Sequence, residues 1–121
     1  GCGLSRGNLI TPAAIVALLR YMDRHPSRND FRNSLPVAGV DGTLKDRMVG
    51  TPAEGNARAK TGSLRGIHTL AGYVTSAAGE PFAFSLMLNN YHPDTIGETN
   101  RSGLDEIVVL LAMLQSKTAH K

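Results

Sequence analysis

One tetrapeptide in this sequence combines residue types that can bind and polarise a carbonyl group. Lys60-Thr61-Gly62-Ser63 lies in a segment with strand-like character, so the side chains of Thr61 and Ser63 point to the same face of that strand. Their hydroxyls could bind a carboxylate or the carbonyl of a strained amide, and the amide N–H of Ser63 could donate to an oxyanion. Lys60 would supply positive charge. The same residues also fit an edge strand with a polar, solvated face, and the tetrapeptide alone leaves both interpretations open.

The position of the tetrapeptide, on the first predicted strand, favours a role in binding. A glycine on an edge strand lets another backbone approach closely, and Gly62 stands between two residues that carry hydroxyls. An extended peptide could therefore pair with this strand and extend the sheet.

Two other short motifs are weaker candidates for a site. A phosphate-binding loop of the form G-x-x-x-x-G-K-S/T would need glycine at the positions of Glu54 and Ala59. A Cβ at either position would crowd the phosphate, so we reject this motif. Ser27-Arg28-Asn29 has the letters S-x-N, but it lies in a stretch rich in turn-forming residues, where an ordinary turn is the simpler interpretation.

The histidines and the cysteine do not form a recognisable site. The four histidines are far apart and lack the spacing of metal ligands; they are His25, His68, His92 and His120. Cys2 is the one cysteine, so no disulfide can form within the chain. We therefore expect neither a metal nor another cofactor.

Composition and charge are those of an ordinary globular domain. The 121 residues are 41% hydrophobic with a formal net charge of +3, and the arginines are spread along the chain among acidic residues. Nucleic-acid binding needs clustered positive charge and is not expected. No apolar run is long enough to span a membrane. The chain has the length of one domain, and we expect no second domain.

Hydrophobic periodicity and turn signals predict an α+β fold with a helix at each end. Thr11 can cap a first helix that begins at Pro12 and ends near Arg24 or His25. Residues 26–58 are rich in glycine, proline and asparagine, and we expect little regular structure there. Three antiparallel strands follow, the last two joined by a turn at residues 76–80. These strands span residues 57–67, residues 69–75 and Pro81–Asn89.

The third strand and the final helix indicate how the layers pack. Neither face of Pro81–Asn89 carries a charge, and such strands are usually buried on both sides, so helices should cover both faces of the sheet. Ser102 with Asp105 fits a helix-start signature. Apolar residues outside the main stripe predict that this helix is well buried; they are Val109, Leu110 and Met113.

Three blocks of sequence resemble a known family. They are Gly3-Leu4-Ser5-Arg6 with Asn8-Leu9, then Leu35-Pro36-Val37-Ala38-Gly39 with Asp41-Gly42-Thr43-Leu44, then Ala59-Lys60-Thr61-Gly62-Ser63-Leu64 with Gly66 and Leu70-Ala71-Gly72-Tyr73. In this order they resemble class C low-molecular-mass penicillin-binding proteins, which are D-Ala-D-Ala carboxypeptidases and endopeptidases of the cell envelope. Cys2 departs from the pattern, which has a serine there.

The resemblance implies a β-lactamase/transpeptidase-like fold and a role for each residue of the tetrapeptide. It assigns Lys60 to catalysis, Thr61 and Gly62 to substrate binding, and Ser63 to the substrate's terminal carboxylate. The family's nucleophile motif, S-x-x-K, is missing, because no serine of this sequence has a lysine three residues later. We therefore expect residues 1–121 to be the C-terminal part of a penicillin-binding domain and to be inactive alone.

The resemblance also implies partners and a location. It implies peptidoglycan peptides ending in D-Ala-D-Ala as substrate, β-lactams as ligands of the intact protein, and export to the periplasm or cell envelope. In the family fold, N-terminal strands pair with the strand equivalent to Pro81–Asn89. Without them this strand would be an exposed edge, and we expect a homodimer through it.

Two alternative functions stay open at this point. The first is a serine β-lactamase relative, which turnover of a β-lactam by the parent protein would favour. The second is a non-catalytic envelope-binding domain, which loss of S-x-x-K from the parent gene would favour.

Overall fold

A three-stranded antiparallel sheet between helices forms the core of the computed structural model, which describes residues 11–64, 67–89 and 97–115. The predicted α+β class is confirmed. The elements are α1 (Pro12–Asp23), α2 (Arg28–Asn33), β1 (Arg58–Leu64), β2 (Ile67–Thr75), β3 (Pro81–Asn89) and α3 (Gly97–Met113). Within the described ranges, no helix is long and apolar enough to cross a membrane.

Helix α1 begins where the sequence predicts. The Thr11 hydroxyl accepts a hydrogen bond from the amide of Ala14 at 3.1 Å, and Pro12 occupies the start of the helix. This cap satisfies one amide that has no partner within the helix. The helix ends at Asp23, with Arg24 as its C-cap, close to the predicted end.

The expectation of little regular structure at residues 26–58 is wrong for α2 (Arg28–Asn33). Tertiary contacts hold this six-residue helix, which is too short to be stable alone. Arg32 pairs with Asp23, and its guanidinium lies 4.2 Å from the centre of the Tyr73 ring. The Tyr73 hydroxyl donates to the carbonyl of Leu19, so the same tyrosine also fixes α1 against the sheet. Sequence periodicity carries no signal for contacts of this kind.

The sheet has the order β1-β2-β3, so β1 and β3 are its two edges. The predicted bounds of Pro81–Asn89 are confirmed, and so is the hairpin turn at residues 76–80. Gly79 sits in that turn with a φ of 81°, a conformation that side chains disfavour. The first strand ends at Leu64, and β2 begins at Ile67, so the predicted bounds of the first two strands, residues 57–67 and residues 69–75, are wrong where the two strands meet.

Helices cover both faces of the sheet, as the uncharged third strand predicts. Helix α3 packs against β2 and β3 on one face, and α1 packs against the same strands on the other. The core on the α3 side contains Leu70, Val74 and Phe84 of the sheet with Leu104 and Val108 of the helix.

Two details of the α3 prediction are wrong. The helix begins at Gly97 rather than at Ser102, because a capping signature can also occur inside a helix. Leu110 and Met113, which the sequence predicts to be buried, are 61% and 51% exposed. Only one stripe of α3, around Val108, meets the sheet.

Candidate active site

Within the described ranges, the outer edge of β1 is covered at its start, and no backbone group pairs with it where the tetrapeptide lies. Ala59 donates its amide to the carbonyl of Pro36 at 3.0 Å, and Ala38 donates to Ala57 at 2.9 Å. Backbone groups alternate in direction along a strand, so the amides of Thr61 and Ser63 face the same edge as that of Ala59. Among the described residues, no backbone group pairs with this edge beyond Ala59.

The hydroxyls of Thr61 and Ser63 lie at one cavity of about 260 Å³. Thr61 donates from Oγ1 to the Oγ1 of Thr43 at 3.1 Å, and the Oγ of Ser63 is 3.2 Å from the Nδ1 of His68. Thr61 is half-buried and Ser63 is exposed, so both hydroxyls are accessible from the cavity. The sequence predicted a shared face from the period of two, and the structure shows it.

Lys60 lies on the opposite face of β1 from the two hydroxyls. Its neighbour across the sheet is Ala71, and it lines a second, largely apolar cavity of about 480 Å³ beside α1. Its ammonium group nevertheless reaches the strand edge, where it donates to the carbonyl of Thr61. The structure therefore places the positive charge at the edge rather than inside the cavity with the hydroxyls.

The packing of the sheet explains why a glycine stands at position 62, and the sequence did not reveal this. It pairs with Thr69 of β2, and a Cβ built at Gly62 would lie 2.4 Å from the Oγ1 of Thr69. That distance is far below a normal contact, so the sheet itself requires a small residue here. The requirement comes from β2, on the inner side of the strand, whereas the expected substrate would approach the outer edge.

Sequence reasoning missed Arg47, which lines the cavity together with Thr61 and Ser63. Its guanidinium forms two hydrogen bonds with the carboxylate of Asp105 in α3, at 2.6 and 3.1 Å. Both side chains are mostly buried, at 16% and 17% exposure. The pair joins the segment that precedes β1 to α3 and so fixes one wall of the cavity. The two residues are 58 positions apart, and nothing in the sequence links them.

The remaining sequence candidates lie elsewhere. Ser27-Arg28-Asn29 is at the start of α2, on the exposed surface, and the Ser27 amide donates to the Nδ1 of His25 at 3.0 Å. In the part of the chain that the structure describes, no cluster of three or more His, Cys, Asp or Glu could hold a metal ion. Outside the described residues lie Cys2, His92, His120 and the block that begins at Gly3.

Solved structures share this fold. Penicillin binding protein 4 (dacB) from Haemophilus influenzae superposes with a TM-score of 0.80 and 31% sequence identity over 92% of this chain and 26% of its own. A predatory endopeptidase from Bdellovibrio bacteriovorus has the same fold at 19% identity, with a TM-score of 0.67 over 98% of this chain and 35% of its own. The chain thus has the transpeptidase-like fold of penicillin-binding proteins and peptidoglycan endopeptidases.

The chain belongs to the D-Ala-D-Ala carboxypeptidase 3 (S13) family, whose model matches residues 1–111. It is 39% identical over 107 residues to D-alanyl-D-alanine carboxypeptidase DacB of Haemophilus influenzae. This alignment covers 86% of this chain and 22% of that protein. It is 45% identical over 117 residues to a D-alanyl-D-alanine carboxypeptidase of an Actinomadura species, covering 93% of this chain and 21% of that protein. The chain therefore spans about a fifth of the length of these relatives.

Proposed function

We propose that residues 1–121 are the C-terminal part of the penicillin-binding domain of a serine D-Ala-D-Ala carboxypeptidase and endopeptidase. The chain supplies the strand that holds a peptidoglycan stem peptide. One observation carries the proposal: Thr61 and Ser63 present two hydroxyls to one cavity beside backbone amides that face an open strand edge. Membership of the carboxypeptidase family supports the choice of substrate.

The edge of β1 suits a peptide that binds as an added strand. The outward amides and carbonyls of Thr61 and Ser63 would pair with the peptide backbone, which gives affinity, while the cavity selects the terminal group. The hydroxyls of Thr61 and Ser63 line that cavity and make it suitable for a carboxylate, and Arg47, which is paired with Asp105, forms part of its wall. The substrate's terminal carboxylate would bind there.

The chemical step requires a nucleophile from outside this chain. In the family, a serine attacks the peptide carbonyl, D-alanine leaves, and water then releases the acyl group. The Ser63 amide would donate to the oxyanion of the tetrahedral intermediate. Lys60 would place its charge beside the reacting carbonyl, at the strand edge where its ammonium group binds the Thr61 carbonyl. Holding the peptide against the nucleophile lowers the barrier, because the entropy of orientation is lost on binding.

The same arrangement would recognise β-lactams in the intact protein, since their ring amide and carboxylate mimic the terminal dipeptide. A related structure, penicillin binding protein 4 from Haemophilus influenzae, is complexed with a β-lactam. Action on peptidoglycan also implies a place in the periplasm or cell envelope.

The test uses the full-length protein that carries this chain. Thr61→Val and Ser63→Ala should each raise the KM for a peptide ending in D-Ala-D-Ala about tenfold or more, because each removes a hydrogen bond to a charged group. Thr75→Val is the matched control, since Thr75 is an exposed threonine at the far end of β2. An unchanged KM in both site variants would show that the cavity does not bind the substrate.

Acylation gives a second test of the proposal. Residues 1–121 contain no S-x-x-K motif, so the isolated chain should form no covalent adduct with a fluorescent penicillin. The full-length protein should form one. An adduct on the isolated chain would mean that a residue of this chain acts as the nucleophile.

We also propose that the isolated chain forms a homodimer through β3. Within the described ranges, the outer edge of Pro81–Asn89 has no strand beside it, and Met87 on this strand is 48% exposed. Exposed apolar edges of this kind pair with other strands. Light scattering of the isolated chain should give the mass of a dimer, and a monomer at high concentration would contradict the proposal.

A further inference from the structure

His68 lines the cavity, and neither the motif nor the family resemblance assigns it a role. It stands opposite Ser63 in the β1–β2 register, so the two side chains share a face of the sheet. The Ser63 Oγ lies 3.2 Å from the His68 Nδ1. His68 is half-buried, and it lines the cavity together with Thr61 and Arg47.

The hydrogen bond between Ser63 and His68 decides where the hydroxyl proton of Ser63 is directed. A hydroxyl has one proton to donate. If Nδ1 is unprotonated, it accepts this proton, and the Ser63 Oγ then presents only lone pairs to a carboxylate in the cavity. If Nδ1 carries a proton, as it does in one neutral tautomer and always in the imidazolium, it donates to the Ser63 Oγ, and the hydroxyl proton is free to bind the carboxylate.

The charged groups around His68 make its own charge important for an anion. Of the described residues lining the cavity, Arg47 and His68 can carry charge. Asp105 of α3 neutralises much of the Arg47 charge through its two hydrogen bonds. Lys60 of β1 binds the carbonyl of Thr61 at the strand edge, and the neighbour of His68 on β3 is Leu88, which is apolar. An imidazolium at His68 would therefore add positive charge that no described carboxylate pairs with.

We infer that His68 is a positioning residue that couples binding of the substrate's carboxylate to uptake of a proton. This inference rests on the proposed function and deepens it. Uptake of a proton makes Nδ1 a donor in every case, which leaves the Ser63 hydroxyl proton for the carboxylate, and it adds a charge of opposite sign. Because protonation of an imidazole and binding of an anion beside it favour each other, affinity for peptides with a free C-terminal carboxylate should fall as pH rises.

The experiment measures the full-length protein at several values between about pH 5.5 and 8.5. Two peptides serve as probes. The first ends in D-Ala-D-Ala with a free carboxylate, and its KM is measured. The second is the same peptide as the C-terminal amide, and its inhibition constant is measured. We expect the KM of the acid to rise about fivefold relative to the constant of the amide, which is the difference between a charge-assisted and a neutral hydrogen bond. Groups that titrate away from the C-terminal group of the peptide affect both peptides alike and cancel in this ratio.

Variants separate positioning from a purely structural role. His68→Asn and His68→Gln keep a hydrogen-bonding side chain that does not titrate, so both should flatten the pH dependence of the ratio and leave the pH profile of kcat as in the wild type. His25→Asn is the matched control, because His25 also binds through Nδ1 but lies at the end of α1. It should keep the wild-type ratio.

Each outcome has a distinct meaning. A flat ratio in the wild type, or an unchanged pH dependence in the His68 variants, overturns the inference while the proposed function stands. A wild type that neither hydrolyses the acid peptide nor forms a penicillin adduct overturns the proposed function, and the inference falls with it. The wild-type ratio tests the inference even if a variant does not fold.

Discussion

Gly62→Ala tests whether the glycine of the tetrapeptide is needed for packing of the sheet or for binding of the substrate. A Cβ at this position would lie 2.4 Å from the Oγ1 of Thr69, and the next atom of that residue is 3.7 Å away. Overpacking of this kind costs about 1–3 kcal/mol. The gain from removing a glycine from a strand is about 0.5–1 kcal/mol, so the free energy of unfolding should fall by up to about 2.5 kcal/mol. Thr69 cannot relax cheaply, because a β-branched side chain is restricted at χ1.

The second substitution, Thr69→Ala, removes the clashing oxygen and keeps the Cβ at an ordinary distance. In this background Gly62→Ala should be neutral or stabilising, which gives a coupling energy of about 1–3 kcal/mol between the two positions. Gly72→Ala is the control, since its Cβ would lie 1.9 Å from the backbone oxygen of Arg58. A backbone clash of this kind cannot be relieved by truncating a neighbouring side chain.

The assay is urea unfolding of the full-length variants, combined with the KM for a peptide ending in D-Ala-D-Ala. Additive effects of Gly62→Ala and Thr69→Ala would refute the packing argument. A double variant with restored stability but a raised KM would show that the substrate also needs the glycine. Restored stability with a normal KM would show that the sheet alone requires it.

Three further predictions concern the supports of the site and the core. Replacing Arg47 by methionine should lower the free energy of unfolding by about 2–3 kcal/mol, because it leaves the mostly buried Asp105 carboxylate unpaired, and replacing both residues by apolar ones should recover much of that loss in urea unfolding. Burial raises the pKa of Tyr73 above its ordinary value of 10.0. Its contribution to stability is therefore complete below that value and is lost as pH rises through the raised pKa; unfolding midpoints should fall in alkali for the wild type and less so for Tyr73→Phe. Leu70→Ala, at a fully buried position, should cost about 2–5 kcal/mol by the same assay. Leu110→Ala, at a side chain 61% exposed, should stay near the wild type, and equal losses at the two positions would contradict the assignment of the core.

Local chemistry in the sequence determined the elements that have strong signals of their own. Thr11 and Pro12 define the start of α1 through a hydroxyl cap and a fixed backbone angle. The start of Pro81–Asn89 follows from an uncharged run that begins directly after a turn containing Gly79. The shared face of the Thr61 and Ser63 hydroxyls follows from the period of a strand. Each of these features depends on neighbours along the chain.

Only the tertiary structure decided the features that depend on distant residues. Helix α2 forms because Arg32 pairs with Asp23 and stacks on Tyr73, although its sequence is typical of turns. Gly62 must be small because the Thr69 side chain of the neighbouring strand leaves no room for a Cβ. The pair of Arg47 and Asp105, 58 positions apart, fixes a wall of the cavity. Contacts between segments far apart in the chain depend on how the layers pack together, and a local pattern of residues does not predict that packing.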